Sequence, residues 1–98
     1  MKEISAKEVQ ELIKNEEKLN LIDVRELGEL KAGRIPGITH IPLGLLEFRT
    51  HELDKSKAYI MVCRSGGRSG QATQYLESQG FDVTNMTGGM LSWEGKVE

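Results

Sequence analysis

Cys63, the only cysteine in the chain, stands between an apolar run and a loop suited to an anion. Ala58-Tyr59-Ile60-Met61-Val62 leads into Cys63-Arg64-Ser65-Gly66-Gly67-Arg68-Ser69, where no other apolar residue occurs. A cysteine that follows an apolar strand is, by composition alone, an ordinary core residue. Two arginines and two glycines in the next five positions reverse that reading, because they make a poor core and a good anion cradle. A tight loop feeding a helix N-terminus turns backbone N–H groups inward. Gly66 and Gly67 are expected to supply positive φ angles, and Arg64 and Arg68 fixed positive charge. Such surroundings lower a thiol's pKa from about 8.5 toward neutrality, so the sulfur reacts as a thiolate without an adjacent general base. The same donors would stabilise a persulfide anion or an oxyanion leaving group. Ser65 and Ser69 are candidate donors to that anion, and Ser69 is equally placed to cap the helix that follows.

The elements around this loop are legible from pattern. Ser5-Ala6-Lys7-Glu8 reads as a capping box, and Val9, Leu12 and Ile13 continue as an amphipathic helix to about Asn15. Leu19 to Val24 is apolar at most positions, as in a strand buried on both faces of a parallel sheet. A short helix is expected from Arg25 to Ala32, ended by Gly33 and weakened by Gly28. Pro42 confines His40-Ile41-Pro42 to an edge or a loop. A helix is expected from Leu43 to about Glu52, with Leu45, Leu46 and Phe48 as its apolar side. Ala58 to Val62 is the clearest strand. Gln71 to Gln79 reads as a helix stopped by Gly80. Phe81 to Met86 reads as the last strand and Met90 to Trp93 as a short helix. Alternating strands and helices imply an α/β domain with a mostly parallel sheet, in which ligands bind beyond the carboxyl ends of the strands. Cys63 falls at such an end.

Composition narrows the function classes. The 98 residues suffice for one domain spanning 1–98. A formal charge of -2 provides no basic field for nucleic acid or an anionic membrane surface. No apolar run approaches the roughly 20 residues of a membrane span. A lone cysteine allows no internal disulfide, and with only His40 and His51 to assist it builds no metal site. The polar N-terminus lacks a signal core, so a cytoplasmic location is expected.

The loop Cys63 to Ser69 resembles the active-site loop of rhodanese-like domains. Leu21-Ile22-Asp23-Val24-Arg25-Glu26 resembles their first signature, and Gly33-Arg34-Ile35-Pro36-Gly37 with Ile41-Pro42-Leu43 resembles the second. Gly80-Phe81, Val83, Gly88-Gly89-Met90 and Trp93 resemble the C-terminal one. The resemblance implies a single rhodanese-like domain with a central, mostly parallel sheet of about five strands and helices on both faces. It implies a thiosulfate sulfurtransferase in which Cys63 carries sulfane sulfur as a persulfide and Arg64, Ser65, Gly66, Gly67, Arg68 and Ser69 bind the substrate. Expected partners are a small anionic sulfur donor and a thiol or cyanide acceptor, the thiol one on a redox protein for instance. No cofactor is implied, and a monomer is expected. Sulfur-handling members resemble this chain in having six residues from the cysteine through the closing arginine, whereas phosphatase relatives have one more.

Two alternatives share the same loop: a cysteine-dependent phosphatase or arsenate reductase, and a non-catalytic sulfur-carrier or protein-interaction module. Asp23 and Arg25 read as braces for neighbouring loops, since a buried carboxylate must find partners. Met86 and Met90 read as core filler, and Trp93 as a packing anchor near the site rim. The chain departs from the family pattern at Arg34, where histidine is usual, and at Leu27 to Leu30, which lacks the usual aromatic.

Overall fold

In the computed structural model, which describes residues 1–98, five parallel strands form one sheet in the order β1-β5-β4-β2-β3. These are β1 (Lys2–Ser5), β2 (Leu21–Asp23), β3 (Thr39–His40), β4 (Ala58–Val62) and β5 (Asp82–Thr87). Four α-helices cover it: α1 (Ala6–Lys14), α2 (Leu27–Leu30), α3 (Leu43–Leu46) and α4 (Gly67–Ser78). β4, the most apolar strand, occupies the centre, as expected for a strand whose two faces are both covered.

Alternation along the strands splits the core between the two faces. On one side Ile22, Tyr59, Met61 and Val83 pack with Leu46, Ala72 and Leu76 from α3 and α4, and Cys63 belongs to this cluster. On the other, Leu21, Val62 and Met86 pack with Ala6 and Val9 of α1. The capping box that opens α1 is present in both halves: Ser5 Oγ accepts from the Glu8 N–H, and the Glu8 carboxylate accepts from the Ser5 N–H.

Several expected boundaries shift. β1 has no apolar pattern because it is an edge strand with its first residues exposed, and backbone pairing with β5 holds it. The helix expected over 43–52 stops after Leu46 and resumes only as a 3-10 turn at Thr50–Glu52. Leu46 alone of its proposed apolar side is buried, whereas Leu45 and Phe48 are exposed. The last helix is likewise a 3-10 turn, Gly89–Ser92. The largest correction concerns α4, which starts at Gly67 rather than Gln71. Gly67 and Gly70 are poor helix formers, so propensity hides this first turn and tertiary packing imposes it. Gly70 has no side chain where α4 passes the Asn85 amide; a Cβ there would lie 3.5 Å from Nδ2.

The C-terminal turn clamps the backbone of the cysteine. The Met90 and Leu91 N–H groups donate to the Cys63 and Arg64 carbonyls at 2.9 and 3.0 Å. Gly89, at φ 55°, makes this approach possible, since a Cβ there would lie 2.4 Å from the Arg64 carbonyl oxygen. Gly89→Ala is therefore expected to lower stability by roughly 2 kcal/mol or more. For a domain this small that is a fall in Tm of about 10 °C, readable by thermal denaturation. An unchanged Tm would mean that the clamp yields at little cost.

Candidate active site

The site begins where β4 ends. Cys63 follows the last strand residue, and a short turn carries the chain to Gly66, whose φ of 105° caps the start of α4. That left-handed conformation aims the Gly66 N–H back at Cys63 Sγ, which accepts from it at 3.0 Å. Gly67 does not adopt positive φ, contrary to expectation, because it is already the first helical residue. Cys63 is fully buried, with 0% exposure.

Burial pushes the Cys63 thiol up. Hydrogen bonds more than offset it, first from the Ser69 hydroxyl at 3.3 Å and then from the backbone N–H groups of Ser69, Gly66 and Ser65, so its net displacement is downward from the ordinary thiol value. The downward displacement thus comes from a ring of short-range donors acting together against burial. Ser69 does not cap α4, because it lies within the first turn. Its hydroxyl also approaches Asn85 Oδ1 of β5 at 2.5 Å. Asn85 escaped the sequence reading altogether, since it lies 22 positions from Cys63 and occupies an alternating strand.

The two loop arginines differ. Arg68 donates from Nη1 and Nη2 to the two carboxylate oxygens of Glu29 at 2.6 and 2.8 Å. A fork of this kind satisfies much of the guanidinium and directs it toward α2. Arg64 is exposed and forms no salt bridge, so it is the uncompensated cation of the loop. A shallow groove of about 240 Å³ beside it is lined in part by Arg25, Leu91 and Trp93. Trp93 thus stands on the rim, its Nε1 donating to the Lys96 carbonyl at 3.0 Å.

Asp23 and Arg25 form a buried bracket. Arg25 Nη2 donates to Asp23 Oδ2 at 2.8 Å and to the Gly33 carbonyl at 3.0 Å, and Nη1 donates to the Glu29 carbonyl at 3.4 Å. The pair therefore ties the end of β2 to α2, which carries Glu29, and to the turn that follows it. His40 Nε2 lies 2.7 Å from the Arg25 carbonyl, which only accepts, so this nitrogen is the protonated one. That contact turns His40 toward the bracket. Ser65 is exposed in the turn, with its N–H toward the sulfur. Arg34 reaches the C-terminal residue, pairing with Glu98.

Glu29 is held down from the usual 4.5 to about 2, first by the Arg68 side chain and then by the Glu26 N–H. A carboxylate with a lowered folded-state pKa stabilises the fold fully above its unfolded value. That stabilisation disappears as pH falls from about 4.5 toward 2. Glu29→Gln, which keeps a side-chain acceptor at the α2 cap, should flatten the acid limb of the stability curve in this window. Urea midpoints measured across it for both proteins provide the check; parallel slopes would contradict the assignment.

Residues 5–96 match the family model of the rhodanese-like domain. YtwF of Bacillus subtilis (strain 168), provisionally named a sulfurtransferase, is 45% identical over 98 residues, covering 100% of this chain and 95% of YtwF. YrkF of the same organism, provisionally named a sulfur carrier protein, is 41% identical over 97 residues, covering 98% of this chain and 52% of YrkF. The crystal structure of a rhodanese-like domain protein from Staphylococcus aureus superposes with a TM-score of 0.94 at 31% identity, covering 100% of this chain and 97% of that one. Sheet order, cysteine loop and whole-length similarity agree, and the chain belongs to the rhodanese-like domain family.

Proposed function

We propose that this protein is a sulfurtransferase that moves a sulfane sulfur through a persulfide on Cys63. The observation that carries the reading is a buried sulfur held by inward-facing N–H and O–H donors at the carboxyl end of the central strand. Donors fixed in this way stabilise a sulfur anion without reorganising as charge develops. Relatives named for sulfur transfer and for sulfur carriage support the same chemistry.

In the first half of the cycle the Cys63 thiolate attacks the outer sulfur of a donor such as thiosulfate. A bond forms between Sγ and that sulfur, the donor's S–S bond breaks, and sulfite leaves with the electron pair. The persulfide anion then lies where the N–H groups of Ser65, Gly66 and Ser69 converge. In the second half an acceptor thiolate or cyanide attacks the terminal sulfur, and the Cys63 thiolate is regenerated. A thiol on a partner protein suits the carrier aspect of this reading. A free reactive thiol also suits a reducing compartment, so the cytoplasmic assignment is part of the proposal.

The charge distribution refines donor recognition. Arg64 is free to meet an anionic donor, whereas Arg68 serves chiefly to hold Glu29. Intact-protein mass after brief thiosulfate exposure should rise by one sulfur on the wild type and remain unchanged on Cys63→Ser. Cyanide or a thiol should remove the added mass. Arg64→Ala should slow loading from thiosulfate roughly tenfold and spare loading from an uncharged persulfide donor, because one charge-assisted contact is lost. No mass gain on the wild type would remove thiosulfate from the reading, and equal losses with both donors would remove Arg64 from anion recognition.

A further inference from the structure

Asn85 is a buried side chain whose position on β5 brings it to the sulfur from a different part of the chain. It is 4% exposed, and both ends of its amide are engaged. Nδ2 donates to the Gly66 carbonyl at 3.1 Å, and Oδ1 lies 2.5 Å from Ser69 Oγ. The Gly66 carbonyl can only accept, so it fixes which end of the amide faces Ser69. Ser69 Oγ in turn lies 3.3 Å from Cys63 Sγ. A hydroxyl carries one proton, and Asn85 Oδ1 and the sulfur are both acceptors for it. The shorter contact belongs to Asn85. While Ser69 donates there, its single proton is withheld from the sulfur, which disfavours a sulfur anion.

We infer that Asn85 is a positioning residue for sulfur transfer: it holds the Ser69 proton while Cys63 is a thiol, and yields it when the sulfur becomes an anion. Ser69 thereby changes from acceptor to donor by rotation of one hydroxyl. Through Nδ2 the same amide keeps the Gly66 turn in place, so one side chain sets two members of the cradle. The inference rests on the proposal that Cys63 works as a sulfur anion, but its test needs no sulfur donor. A failure of Asn85 to act is therefore distinguishable from a failure of sulfur transfer.

The other groups around Sγ are the N–H groups of Ser65, Gly66 and Ser69, with Arg64 in the turn. Arg68 stands on α4 with Glu29 of α2 and its N-cap Glu26 beyond it, and the Asp23–Arg25 pair closes the end of β2. Asp82, the titratable residue of β5, is at the opposite end of its strand and paired with Lys2. Asn85→Leu also removes the Nδ2 bond to the Gly66 carbonyl, and the charged groups are unaltered in the variants below.

Cys63 is the only cysteine, so one carbon-labelled cysteine resonance reports its titration by NMR. Asn85→Leu removes the competing acceptor at similar volume. The Cys63 midpoint should then move down, by about threefold to tenfold in ionisation constant, as Ser69 becomes a full-time donor to the anion. In a Ser69→Ala background the same substitution should no longer lower the midpoint. No shift in the first case, or an equal shift in both, would overturn the inference. Where Asn85→Leu fails to fold, the intact protein decides. The Asn85 side-chain amide resonances should move with the Cys63 titration, and resonances flat through it would overturn the inference equally.

Discussion

The hydrogen bond from the Gly66 N–H to Cys63 Sγ joins the fold to its chemistry. It forms only because the chain turns through positive φ at Gly66 and enters α4 one residue later, so that successive amides converge on one point. The sulfur would otherwise be an apolar core atom at the end of β4. Neighbouring features serve to keep that turn in register. β5 lies against β4 and supplies Asn85, whose amide holds the Gly66 carbonyl. The 3-10 turn that follows β5 clamps the carbonyls of Cys63 and Arg64 through Met90 and Leu91. The backbone carbonyls of Cys63, Arg64 and Gly66 are thereby all held by β5 and the turn that follows it.

Burial of so much polarity around one sulfur carries a cost that the structure meets by complete pairing. Asp23, Arg25, Ser69, Thr73 and Asn85 are all buried, and no buried side-chain nitrogen or oxygen lacks a partner. Thr73 Oγ1 donates to the Ser69 carbonyl at 2.7 Å, which stiffens the first turn of α4 where Ser69 works. The Asp23–Arg25 pair is desolvated, and such a pair adds little net stability against an apolar replacement. Its value is geometric, since Arg25 reaches the Glu29 carbonyl within α2 and the Gly33 carbonyl beyond it, and so positions Glu29. Glu29 then receives Arg68. A chain of charge-assisted bonds thus runs from the end of β2 to the first turn of α4, around the sulfur without touching it.

This arrangement divides labour between short-range and long-range electrostatics. Directed N–H and O–H donors set the thiol's ionisation at contact distance, where orientation matters most. Arg68 has most of its charge answered by Glu29, so it contributes rigidity more than field. Arg64 remains exposed beside the groove rimmed by Trp93. In the proposed function, steering and activation therefore fall to different residues of one short loop.

Local pattern was enough to read the α/β class, the central strand β4, the capped helix α1 and the cysteine loop, because each of these rests on neighbours in sequence. Gly66 announced a turn for the same reason. The edge strand β1 was invisible, since a strand held by backbone pairing with β5 needs no apolar side chains. The early start of α4 was hidden by its glycines, which propensity counts against a helix and packing beside Asn85 tolerates. The partners of the loop residues lay further out of reach. Composition presented Arg64 and Arg68 as equivalent cations, and only the approach of Glu29 from α2, thirty-nine positions away, separated them. Asn85 had no local mark at all. A residue's type and its near neighbours determine what it is able to donate or accept, whereas the parallel crossovers of the sheet decide which distant group it meets.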